Sequence, residues 1–257
     1  MLKRILITAA IVLLTAGFSG GYFYHTGTLV KESRAESLCT GLSAVVKDSL
    51  ENKIISSGEI CDIVRKSGFV RGKCIDSIDL FSIEKMLDAR GEILKSEVYS
   101  ADNGVLYIEV SQRKPVMRFE SGQASFYSDD KGYLFPIYNH VQVPVVTGAV
   151  PISYEAGSKG HAGTPGEEEW LEGMTRLAAY IESNEFWHNQ IEQIDIENGD
   201  IVFYMRQGEQ KVIFGNTSDI DVKFRKLATF YKSVVPEVGW DRYKTVNLKY
   251  KNQIICK

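Results

Sequence analysis

Leu106-Tyr-Ile-Glu-Val-Ser-Gln-Arg-Lys-Pro115 alternates apolar and polar side chains and then meets a proline. Alternation with period two is the signature of a strand with one buried face, and the residue before a proline is driven into extended backbone. The stretch therefore predicts a strand over Val105–Val110, with Pro115 marking a seam between two domains. Upstream, Ser96–Ser100 has the same β-prone texture, and Asp102-Asn103-Gly104 lies between the two runs. An Asn-Gly turn between alternating runs predicts a hairpin.

Further upstream the period changes. Ser56 or Ser57 with Glu59 can open a helix that carries Ile60, Ile63 and Val64 on one face. A second helix is expected over Ser82–Ala89, where Ile83, Met86 and Leu87 recur at helical spacing before Gly91. Leu42, Ala44 and Val46 alternate as in a strand. One strand, two helices and a hairpin make a small α/β unit ending near Gln112.

Downstream of Pro115 the texture is β-rich. Ala124–Ser128 and Tyr133–Ile137 flank the turn residues Asp129-Asp130-Lys131-Gly132, and the apolar run Val143–Val146 ends before Gly148. Gly157, Gly160, Gly163 and Gly166 with Pro165 mark a loop. A helix is predicted from about Gly166 to Ser183, with Trp170, Met174, Leu177, Ala178 and Ile181 on its apolar face and Glu167, Glu168 and Glu169 suiting its N-terminal dipole. Three β-like runs follow, Ile191–Glu197, Ile201–Arg206 and Lys211–Phe214, with Asn198-Gly199 as a turn. A helix over Asp219–Val235 presents Ile220, Phe224, Leu227, Tyr231 and Val234, and two strands are expected over Tyr243–Leu248 and Gln253–Cys256.

The start of the chain is different. Ile5–Tyr24 carries no charge, follows Lys3 and Arg4, and precedes the next charge at Lys31. At about 1.5 Å per residue such a helix reaches the thickness of a bilayer's hydrocarbon core, so a single membrane span over 5–24 is expected. The basic head over 1–4 favours a cytoplasmic N-terminus, and the polar stretch 25–40 serves as a tether. The rival is a cleaved signal peptide, whose apolar core is shorter and whose cleavage site is cleaner. Either way the remainder lies outside the cytoplasm.

Composition excludes some functions and leaves others open. With 257 residues, 44% hydrophobic, 25% charged and a net charge of −3, the chain suits one or two globular domains and offers no basic surface for nucleic acid. Cys39, Cys61, Cys74 and Cys256 allow three disulfide connectivities, or none if the thiols are buried as small hydrophobes. His25, His140, His161 and His188 are scattered without metal-ligand spacing, and Ser43 lacks the second glycine of a nucleophile elbow. No catalytic site, metal site, cofactor or small-molecule substrate is expected. Near the C-terminus, Tyr243-Lys-Thr-Val-Asn-Leu-Lys-Tyr250 is β-prone. At a sheet edge its free backbone groups would accept a partner strand, or its polar side chains would guard against one.

In order, these segments resemble the FtsQ/DivIB family of bacterial cell-division proteins. Ile78–Leu87 and Leu106–Pro115 resemble its POTRA domain and the "L-x-I-x-V-x-E-R-x-P" hinge, with Gln112 in place of the usual Glu. Phe126–Gly132 is similar to "y-x-v-D-x-x-G", and Val143–Gly148 to "l-P-x-l-x-G". Phe214-Gly215 with Lys223, Lys226 and Leu227 is similar to "lG-x(n)-K-x-x-k-L", and Asn247–Tyr250 to "D-L-R-Y". The first strand lacks the family's "V-x-G" phrase, and residues 50–78 are long and carry two cysteines.

The resemblance implies an α+β protein: a single N-terminal transmembrane helix, a POTRA-like domain over 41–113 and a C-terminal mixed β-sheet domain with packed helices over 114–257. It implies a non-catalytic, single-pass scaffold of the cytoplasmic membrane that gathers other anchored division proteins, notably the FtsB/FtsL coiled-coil pair, to control septal cell-wall synthesis. Partner capture by strand addition then falls on Thr245, Asn247, Leu248, Lys249, Tyr250 and Ile254. A POTRA-bearing assembly or secretion component and an enzyme acting on envelope polymers are the alternatives.

Overall fold

The structure is a computed structural model that describes residues 15–24, 38–47, 54–70, 72–101, 103–122 and 124–257. Residues 15–24 are helical, with Phe18, Tyr22, Phe23 and Tyr24 exposed. Among the described residues no helix is long and apolar enough to cross a membrane. The expected span begins at Ile5, so residues 5–14 of it, like most of the tether, lie outside the described residues. The rest divides into two compact units, one over 38–47, 56–89 and 95–111, the other over 54–55, 90–94 and 112–257.

The first unit runs β1 (Gly41–Val46), α1 (Ser57–Lys66), a 3-10 turn (Ile75–Ser77), α2 (Leu80–Asp88), β2 (Ile93–Ser100, whose first two residues belong to the second unit) and β3 (Val105–Gln112, whose last residue belongs to the second unit). The predicted strand, two helices and hairpin are all present. Ser56 caps α1 in a reciprocal box, its hydroxyl accepting from Glu59 N while Glu59 Oε2 accepts from Ser56 N. Helix α2 starts two residues earlier than its apolar spacing suggests, because Asp79 accepts from Ser82 N and fixes the first turn there. The sheet order is β1-β3-β2, with β1 parallel to β3. Ile60, Val64, Ile83, Leu87, Leu106, Ile108 and Val110 are buried, while Val45, Glu97 and Tyr99 are exposed.

The second unit holds β4 (Pro115–Ser121), β5 (Ala124–Asp129), β6 (Leu134–Pro136), β7 (Val145–Gly148), α3 (Pro165–Glu182), α4 (Glu185–Gln190), β8 (Ile191–Glu197), β9 (Asp200–Met205), β10 (Lys211–Gly215), α5 (Ile220–Thr229), α6 (Val235–Val238), β11 (Thr245–Asn247) and β12 (Ile255–Cys256). Its strands form one nine-stranded mixed sheet in the order β12-β11-β10-β9-β8-β7-β4-β5-β6. Phe119, Phe126, Phe203, Phe214 and Val246 from the strands meet Met174, Leu177, Phe224 and Leu227 from α3 and α5 in a single apolar core. Each such side chain contributes about 1.5–3 kcal/mol on burial, so this layer dominates the unit's stability.

Two local features differ from the sequence expectations. A short helix, α4, follows Asn184, whose side chain accepts from Phe186 N and Trp187 N. The helix expected over Asp219–Val235 is broken by a π-turn over Phe230–Val234, where Val235 N reaches back to Phe230 O. Pro236 follows directly; it has no N–H and would clash with the carbonyl four residues back in an α-helix.

The seam residues are tied into the second unit. Arg113 N donates to Glu92 O, and the Gln112 side chain accepts from Ile54 N. Arg113 Nη1 lies 2.8 Å from Asp129 Oδ2, and its guanidinium sits 3.6 Å over the Tyr133 ring. Asp129 Oδ1 accepts from Lys131 N and Tyr133 N and so also shapes the turn after β5.

Candidate functional site

Six positions near the C-terminus are the expected partner site, and the sheet brings them to one end. β11 lies between β10, to which it is parallel, and β12, to which it is antiparallel. Lys257 N donates to Thr245 O, and Thr245 N donates to Lys257 O. Among the described residues no strand pairs with the outer side of β12, so its outward backbone groups form the open edge of the nine-stranded sheet.

The six residues divide by environment. Thr245 and Asn247 are half-buried in β11. Ile254 and Cys256 pack on the main core, and burial pushes the Cys256 thiol up. Leu248 is 0% exposed, and its N–H donates to Ile213 O, so its side chain belongs to the core and not to a binding surface. Lys249 and Tyr250 are exposed, Tyr250 at 48%.

The turn that carries them is held from three sides. Asn247 Oδ1 accepts from Lys249 N at 3.0 Å, and Lys249 Nζ reaches Asp200 Oδ2 at 2.7 Å. Lys226 Nζ, from α5, donates to Leu248 O at 2.9 Å and Tyr250 O at 2.6 Å. Gly215 has φ 84°, and a Cβ there would press on the Lys249 side chain. One turn of α5 earlier, Lys223 is only 6% exposed and donates to Asn216 O and Asn216 Oδ1. Burial lowers the pKa of both Lys223 and Lys226, with the charge of Lys226 adding to the effect at Lys223.

These groups surround a cavity of about 270 Å³ lined by Asp200, Asn216, Lys223, Lys226, Leu248 and Lys249 among others. The segments Phe214-Gly215, Lys223–Leu227 and Asn247–Tyr250 are distant in sequence but converge on this one corner. Sequence reasoning left Lys226 and Asp200 out of the site. Lys226 was visible as a motif lysine, but its bonds to two backbone carbonyls are made across the fold; Asp200 stands directly after the Asn198-Gly199 turn, and nothing local marks it as the partner of Lys249. Among the described residues no group of three or more His, Cys, Asp or Glu side chains could hold a metal ion, and the four cysteines are free thiols.

Two family models match the chain. A family model described as "POTRA-like domain" matches residues 37–111, and one described as "FtsQ/DivIB, C-terminal related" matches residues 114–257. No curated protein matches the chain. The second model covers more than half of the 257 residues and includes the whole β12 corner, and the chain belongs to the FtsQ/DivIB family.

Proposed function

We propose that this protein is a non-catalytic scaffold of the cell-division machinery, anchored by residues 5–24 in the cytoplasmic membrane with its N-terminus in the cytoplasm. Family membership supports a membrane-associated role built on protein–protein contacts in the division machinery. The POTRA-like domain over 41–113 and the C-terminal domain over 114–257 then stand outside the cytoplasm. There they recruit other single-pass division proteins, an FtsB/FtsL-like coiled-coil pair among them, and control septal wall synthesis. Anchoring all partners in one membrane raises their effective concentration, so modest contacts suffice.

The observation that carries this reading is the open β12 edge, with exposed Tyr250 in the connection that leads to it. An extended partner segment bonding to the outward backbone groups of Ile254 and Cys256 gains main-chain hydrogen bonds, and Tyr250 and Lys249, in the turn before β12, supply side-chain contacts. Lys249→Glu combined with Tyr250→Ala tests it in co-purification of the membrane-anchored protein with an FtsB-like partner. Capture is expected to fall at least tenfold, the effect of about 1.4 kcal/mol, with the fold retained and the melting temperature lowered only modestly by loss of the Lys249–Asp200 pair. Undiminished capture by the folded variant would sink the strand-addition reading.

A further inference from the structure

The three-stranded sheet of the first unit has two edges, and they are treated differently. On the β2 side, Ser96 N donates to Asp88 Oδ1 at 2.7 Å and Val98 N donates to Glu84 Oε1 at 2.8 Å. Ser96 Oγ adds a bond to Asp88 Oδ1 at 2.8 Å. Glu84 and Asp88 stand one turn apart on α2, so a single helix face plugs two edge donors with carboxylates. A strand docking there would have to displace charge-assisted bonds.

Among the described residues no carboxylate plugs the β1 side, where Cys61 Sγ makes a long, weak donation to Leu42 O at 4.0 Å. Lys47 N donates to Val110 O while Val46 stands opposite Val110. The alternation of a parallel ladder then turns the backbone groups of Leu42, Ala44 and Val46 outward. At its entry this edge already accepts extended chain: Leu38 bridges Cys74 in antiparallel sense, and Cys39 N donates to Lys73 O at 3.0 Å. Beyond that bridge an open groove of about 480 Å³ runs along Cys39–Leu42, lined also by Arg65, Val70 and Gly72. Among the described residues Arg65 is the only charged one lining it; its ion pair with Asp62 is exposed on both sides and worth about 1 kcal/mol or less, so an incoming carboxylate can compete for it.

We infer that β1 is a second strand-docking edge, separate from β12, and that it takes an extended protein segment alternating apolar and acidic residues. The apolar side chains enter the groove against Leu42 and Val70, an acidic side chain meets Arg65, and the segment's backbone pairs with Leu42, Ala44 and Val46. It continues the short pairing that Lys73 and Cys74 begin. Because β1 and β12 belong to different sheets, this inference stands or falls independently of the β12 reading.

The test is residue-resolved amide exchange by NMR on the full chain in detergent micelles, with two synthetic peptides that alternate valine with glutamate or valine with lysine. With the glutamate peptide at about ten times its Kd, exchange at Leu42, Ala44 and Val46 should slow by about tenfold. Ala44→Pro, which removes an outward donor from an edge strand, should abolish that protection, and Arg65→Glu should transfer the preference to the lysine peptide. Glu84→Gln with Asp88→Asn should speed exchange at Ser96 and Val98 without altering protection at β1. Unchanged exchange at β1, protection at Ser96 and Val98 in its place, or equal protection by both peptides would overturn the inference.

Discussion

Arg113 and Asp129 close a 2.8 Å ion pair at the point where the chain leaves β3 and enters the large sheet. Both are largely buried, and each has a further partner: the Tyr133 ring lies under the guanidinium, and the carboxylate holds the turn at Lys131 and Tyr133. Removing one member leaves the other charged and buried. Arg113→Met is therefore expected to cost about 3–5 kcal/mol by chemical denaturation. Asp129→Asn should cost less, since an amide oxygen can still accept from the turn's N–H groups. Equal stability of Arg113→Met and wild type would show that the buried pair contributes no net stability.

Lys226 holds two carbonyls of the turn that leads to β12. Lys226→Met keeps the stem's volume and deletes the donors, at an expected cost of about 1–3 kcal/mol. The more specific readout is local: amides from Leu248 to Tyr250 should exchange faster while those of Phe203 and Phe214 stay slow. Uniform loss of protection would instead assign Lys226 a global role.

Gly173 faces Thr217 so closely that a Cβ on it would overlap the threonine hydroxyl. Gly173→Ala is expected to destabilise by about 1–3 kcal/mol through overpacking, despite the better helix propensity of alanine. Adding Thr217→Ala should recover part of the loss in a thermal melt, because it removes the hydroxyl and the methyl group.

The Glu197–Lys211 pair sets an acid limit. The Lys211 ammonium and the Tyr204 hydroxyl both donate to the Glu197 carboxylate and hold its pKa below the usual carboxylate range. A carboxyl with a depressed folded pKa contributes stability that is present above its unfolded value, about 4.3, and is lost as pH falls through the lower folded value. Glu197→Gln should therefore flatten the fall in melting temperature below about pH 4.3 and lower stability at neutral pH. On the alkaline side, the raised pKa of Lys211 keeps its contribution until pH rises past the ordinary lysine value.

Much of this architecture is local and therefore legible in sequence. The capping boxes at Ser56/Glu59 and Thr164/Glu167, the Asn103-Gly104 turn and the alternation through Val110 each fix an element within a few residues. Less legible were features decided across the fold. The π-turn at Phe230–Val234 keeps Phe224, Leu227 and Tyr231 on the buried side, so the apolar spacing looks like one regular helix. Leu248 and Lys249 are neighbours in a β-prone run, yet one is sealed in the core and the other faces Asp200, a division that depends on β10 and the β8–β9 turn. Edge position is the least local property of all, since it depends on which strands fail to find a neighbour.

β12 spans only two residues, fewer than the five or six of an ordinary strand. So short an edge has little cooperative hold and should be among the first parts of the second unit to fray. A ligand strand lying along it would act as a clasp and shift the melting curve upward in proportion to the logarithm of its free concentration. Cellular abundance of the protein would then report how much partner is present, because unclasped copies spend more time open to proteolysis. Strand addition at this edge would link assembly to protein lifetime through a single pair of residues.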